Sequence, residues 1–140
     1  VDKKQEDNVN IVLSFKNGVT GVCQTNWLTP MKIRELLITT SAKHVKVDYL
    51  NQEIEVTTSK FLSIDEANLY EAKIDYETEK LLVKKSEPLR EELLDFLSSI
   101  SKDKNPFVTG FDGFQAVKIA NHALESMTSN KVIVLEGGDK

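Results

Sequence analysis

One cysteine, Cys23, leaves no partner for a disulfide inside the chain. That excludes a disulfide-built scaffold and fits a reducing compartment, so a cytoplasmic protein is expected. His44 and His122 are the only histidines, and neither has a cysteine or second histidine at metal-ligand spacing. No apolar run approaches the ~18 residues of a membrane span. Positive charge is also in short supply. Eighteen Lys and Arg stand against 22 Asp and Glu, giving a formal net charge of -4, which argues against a nucleic-acid footprint. Phosphate-cradling loops are missing too. No Gly-x-Gly-x-x-Gly follows a strand and opens a helix, and there is no Gly-Lys-Ser loop. Gly110-Phe111-Asp112-Gly113 lacks the third glycine and the preceding strand, and reads as a helix start.

What is present is a globular balance: 140 residues, 40% hydrophobic and 29% charged, enough for one domain across 1–140. The opening is Val1 and a polar lead-in over residues 2–8, followed at once by a strand pattern. That pattern is expected of a domain cut from a larger protein.

Residues 10–15 are β-branched and aromatic enough for a strand, and Asn17-Gly18 signals a hairpin through the positive φ its turn requires. The return strand is expected over 19–28, with small residues Gly21, Cys23 and Thr25 on one side. Thr29-Pro30 then breaks the ladder, because proline has no amide hydrogen to donate. Further strands are expected over 32–40, 44–49 and 53–57, the latter two with the polar–apolar alternation of a half-solvated sheet. Residues 64–69 read as a helical turn or loop, while 70–76 and 79–84 alternate weakly, as edge strands do.

Two helices follow. The first begins at Ser86-Glu87-Pro88 and carries Leu89, Leu93, Phe96, Leu97 and Ile100 as one apolar stripe. The second begins near Thr109, which forms a capping-box pattern with Asp112, and its expected buried stripe is Phe114, Val117, Ala120, Leu124 and Met127. Residues 131–135 read as a last short strand. The fold class is therefore α+β: an open, predominantly antiparallel sheet of about six strands with helices packed on one face. Such a sheet leaves its other face uncovered, and surfaces of that kind meet another subunit, so a homo-oligomer is expected.

Chemistry concentrates in residues 26–34. Trp27 is the only tryptophan, Pro30 breaks the strand, and Lys32 and Arg34, two apart, are expected on one strand face. An aromatic platform beside two cations suits a polar, anionic or sugar-bearing ligand. A core tryptophan with two surface charges fits the same residues. His44, between lysines on a strand, reads as solvent-exposed; His122, mid-helix, as structural or interfacial. Cys23 has no histidine nearby in sequence to activate it.

The run from Val9 to Tyr49 resembles the start of the C-terminal domain of the glucose–fructose oxidoreductase and inositol dehydrogenase family (Gfo/Idh/MocA). The shared features are the Asn-Gly hairpin, a strand ending near tryptophan, and the Val47-Asp48-Tyr49 strand. Glu87-Pro88-Leu89-Arg90-Glu91-Glu92-Leu93 with Phe96-Leu97 is similar to the family's first late helix, and 110–126 to its last. Residues 26–36 look closest to archaeal-type UDP-N-acetylglucosamine 3-dehydrogenases. The resemblance implies an NAD(P)-dependent dehydrogenase acting on a sugar or nucleotide-sugar hydroxyl. It implies NAD or NADP bound by an N-terminal Rossmann domain that is missing from this chain and would be its partner. It also implies a substrate side lined by Trp27, Thr29, Pro30, Lys32 and Arg34, and subunit contacts through the open sheet face. The family's Glu-Lys-Pro lysine and its catalytic histidine have no counterpart here, so the isolated chain is expected to be inactive. A stand-alone dimerisation or ligand-binding module with no enzymatic parent is the other reading of these residues.

Overall fold

In the computed structural model of the chain, residues 6–63 and 73–135 are described. The fold is α+β, with six antiparallel strands and two helices. The strands do not form one sheet. β1 (Asn8–Ser14) and β2 (Thr20–Asn26) make a two-stranded hairpin. β3 (Glu35–Thr39), β4 (Lys43–Asp48), β5 (Glu53–Ser63) and β6 (Lys73–Leu81) make a four-stranded meander in that order. Two compact units result. The first comprises Val1–Leu28 with Glu87–Lys140, and the second Thr29–Ser86. The helices α1 (Pro88–Ser101) and α2 (Gly110–Ser129) belong to the first unit, the four-stranded sheet to the second.

Local chemistry explains the turns. At the β1–β2 turn Gly18 alone takes positive φ, at 86°, while the Phe15 carbonyl accepts from Gly18 N–H and the Phe15 N–H donates to Val19. This is a three-residue loop closed by a left-handed glycine, in place of the two-residue turn that Asn-Gly predicts. Asn17 Oδ1 accepts the Val19 N–H at 3.2 Å and fixes the turn from its side chain. Between β4 and β5, Asp48 Oδ1 accepts from Leu50 and Asn51 N–H, both at 2.9 Å, and Oδ2 from the Asn51 amide at 2.7 Å. Gln52 follows with φ 54°. Its side-chain amide donates to the Ser86 carbonyl at 2.8 Å and its oxygen accepts the Ser86 N–H at 2.9 Å. That pair of bonds clamps the chain after β6 to the β4–β5 turn.

Register sorts the four-stranded sheet into two unlike faces, since partner residues share a face. Leu36, Ile38, Val45, Val47, Ile54, Val56 and Leu81 lie on one, together with Lys43, Thr58, Glu77 and Glu79. The other carries Glu35, Leu37, Lys46, Glu55 and Lys80 with Thr39, His44, Thr57 and Thr78. Lys46 bridges Glu35 at 3.0 Å and Lys80 bridges Glu55 at 3.0 Å, and Thr57 Oγ1 bonds Thr78 Oγ1 at 2.9 Å. The Glu35 carboxylate beside Lys46, and Glu55 beside Lys80, raise both lysines above the ordinary range.

The helices begin where the sequence signals. Pro88 is the first residue of α1, and Glu87 caps it by accepting the Arg90 N–H at 3.2 Å. Thr109 and Asp112 form the capping box of α2, and Asn130, at φ 54°, ends that helix in the left-handed conformation. Coverage of the helices departs from expectation. In α1 the sheltered side chains are Asp95, Ser98 and Ser99, the last 5% exposed, while Leu89, Leu93, Phe96, Leu97 and Ile100 are exposed. In α2 the half-buried residues are Gln115, Lys118, Ile119, His122, Ala123 and Ser126, while Phe114, Val117, Ala120, Leu124 and Met127 are exposed. Helical periodicity locates an apolar stripe without saying what covers it. No apolar side chain among the described residues is fully buried.

Three expectations about elements change. The strand predicted over 19–28 stops at Asn26, the one predicted from Lys32 starts at Glu35, and residues 131–135 form no strand. The two weak edge patterns resolve into one strand, β6, paired along β5 with a register shift between Phe61 and Ser63. Residues 64–72 lie outside the described residues.

Two outcomes test this account. Thr109→Ala removes one partner of the capping box and should cost about 1 kcal/mol in chemical denaturation. The Asn51 N–H and side-chain amide hold the Asp48 carboxyl below its usual range. Its contribution is therefore present above the ordinary aspartate pKa and lost as pH falls through the lowered folded value. Asp48→Ala should melt at lower temperature than the parent at neutral pH, with the gap closing in acid below about pH 4.

Candidate functional site

The segment 26–34 runs from the end of β2 to the start of β3. Trp27 lies in the first unit and is 88% exposed; its N–H donates to the Asp7 carbonyl at 2.8 Å. Asn26 Oδ1 accepts the Leu28 N–H at 3.1 Å and turns the chain out of the ladder. Thr29, Pro30, Lys32 and Arg34 lie in the second unit and are exposed. Lys32 and Arg34 precede β3, so strand alternation does not place their side chains on one face. The Arg34 carbonyl accepts the Tyr49 N–H at 3.0 Å, which anchors the backbone beside the β4 end and leaves the guanidinium exposed. The five residues thus form an exposed run along the chain, divided between two units.

Elsewhere, His44 Nδ1 lies 3.1 Å from Thr39 Oγ1 on the polar sheet face, exposed as its sequence context suggests. His122 is half-buried on α2, with Nδ1 3.0 Å from Glu125 Oε2. Cys23 is exposed on β2 opposite Ile11. Among the described residues no group of His, Cys, Asp and Glu is placed to hold a metal ion. None of their helices is long and apolar enough to cross a membrane.

Helix N-termini are where a dinucleotide pyrophosphate would bind. Both are already taken by carboxylates. Asp112 Oδ2 accepts from the Thr109 N–H at 2.8 Å and its hydroxyl at 2.7 Å, and Glu87 accepts from Arg90 N–H. A negative side chain there takes one backbone amide at each helix start and disfavours a phosphate beside it.

One feature the sequence reading passed over is an open groove of about 1010 Å³ beside α1. Leu93, Phe96, Pro106, Phe107 and Val108 supply its apolar lining, and Glu91, Glu92 and Asp95 its charge. Asp95 Oδ2 accepts the Phe107 N–H at 2.7 Å, which fastens the loop after α1 to the helix and holds a ring that is 93% exposed. Pro106-Phe107-Val108 is apolar in a stretch that otherwise reads as a polar breaker, the one sequence signal of the groove.

The chain matches no protein-family model, no curated protein and no solved structure. From the helix caps, titration of NAD or NADP into the isolated chain should give no binding heat. Micromolar binding would show that the capped termini open to phosphate.

Proposed function

We propose that this chain is the substrate-side domain of an NAD(P)-dependent oxidoreductase acting on a sugar or nucleotide-sugar hydroxyl. The observation that carries the reading is the order of sequence markers along nearly the whole chain. An Asn-Gly hairpin leads to Trp27, then to the Val47-Asp48-Tyr49 strand, the Glu87-Pro88 helix start and the Thr109–Asp112 capped helix. The antiparallel α+β architecture is compatible with that order. NAD or NADP would be held by a Rossmann domain elsewhere in the protein, in line with carboxylate-capped helices here. The chain's own contribution would be orientation and charge. The Trp27 ring offers a stacking surface, and Lys32 and Arg34 offer cations to a diphosphate. The apolar face of the four-stranded sheet, from Leu36 to Leu81, would serve subunit contact. Cytoplasmic location belongs to the same reading.

Arg34→Ala in the complete enzyme tests it. Loss of a charge-assisted bond should raise KM for a nucleotide sugar about tenfold or more, corresponding to ~1–3 kcal/mol. An unchanged KM takes Arg34 out of the site. A complete protein without any dehydrogenase activity on sugars would favour a binding module with no enzymatic parent.

A further inference from the structure

The groove beside α1 has an apolar lining and three carboxylates, Glu91, Glu92 and Asp95, with no lysine or arginine lining it. Arg90 Nη1 approaches Glu91 at 3.6 Å, and one Asp95 oxygen serves Phe107. Glu92 has no ion-pair partner among the described residues. The occupant this chemistry fits is extended or helical, apolar at its centre and basic at its ends.

The chain carries such a segment itself. Lys80-Leu81-Leu82-Val83-Lys84-Lys85 sets three apolar residues between lysines. Leu82 is fully exposed just past the end of β6. Lys80 is bound to Glu55, and Lys85 lies 3.7 Å from Glu53. Lys84 has no ion-pair partner among the described residues. The Gln52 amide, bonded twice to the Ser86 backbone, pins the segment at its far end, as the β5–β6 ladder does at its near end. Groove and segment are thus both fastened before they meet, which lowers the ordering cost of association.

We propose that the groove of one copy takes residues 80–85 of a second copy. Leu82 enters the apolar lining between Leu93, Phe96 and Phe107, and Lys84 faces the Glu92 rim. Leu82 lies past the end of β6, beyond Leu81 on the edge of the apolar sheet face, and the proposal does not rest on the dehydrogenase reading.

The test is sedimentation equilibrium of the full chain over a wide concentration range, with Leu82→Asp and Glu92→Lys as variants. Both positions are exposed, and circular dichroism checks that each variant folds as the parent does. The expected result is a mass rising with concentration in the parent, and association weakened about tenfold or more in each variant. Added salt should weaken the parent's association. A parent that stays monomeric overturns the proposal. So does an associating parent whose mass is unchanged by both variants, which would place self-association on another surface.

Discussion

Antiparallel backbone pairing is the constraint on which the rest of this structure depends. The extended contacts between elements are the ladders β1–β2, β3–β4, β4–β5 and β5–β6. Helices satisfy their own backbone internally, and strands satisfy theirs across a ladder. The turns and caps contribute at the level of single hydrogen bonds. Fully burying one leucine or phenylalanine contributes roughly 1.5–3 kcal/mol, more than a cap does. Five such residues left exposed on α1 therefore outweigh every local device that shapes that helix.

The chain accordingly presents apolar surface in several places at once. The sheet face from Leu36 to Leu81, the α1 stripe and the α2 stripe are each half-buried or exposed. The polar sheet face is different in kind. Its alternating Glu35, Lys46, Glu55 and Lys80 neutralise one another across the strands, and exposed pairs of this type add little stability. They do set register, because a slip of one residue would turn the charges onto the apolar face. One face is thus mostly charged and hydroxylated, and the other carries most of the apolar residues of the sheet.

The elements most legible in the sequence were those with a local cause. Pro88 and the Thr109–Asp112 box marked the helix starts within a residue, and alternation over 44–49 and 53–57 marked β4 and β5. Where a cause is distant, the local sequence carries no mark of it. The Gln52–Ser86 clamp joins residues 34 apart, and no periodicity signals it. The segment 26–34 was singled out by composition, yet its strand geometry was not there, because Asn26 bends the chain and β3 begins only at Glu35. The α1 groove needs Asp95 to hold Phe107, a contact between a helix and the loop beyond it that no periodicity signals.

The sequence by itself determined the α+β class, the antiparallel pairing of neighbouring strands, both helix starts and the absence of a glycine-rich nucleotide loop. These follow from spacing, turn chemistry and capping, which act within a few residues. Tertiary structure alone decided that six strands divide into a hairpin and a four-stranded sheet, and that α1 shelters its polar side. Those outcomes depend on which surfaces meet, and hydrophobic attraction, having no direction, writes no such choice into a local pattern.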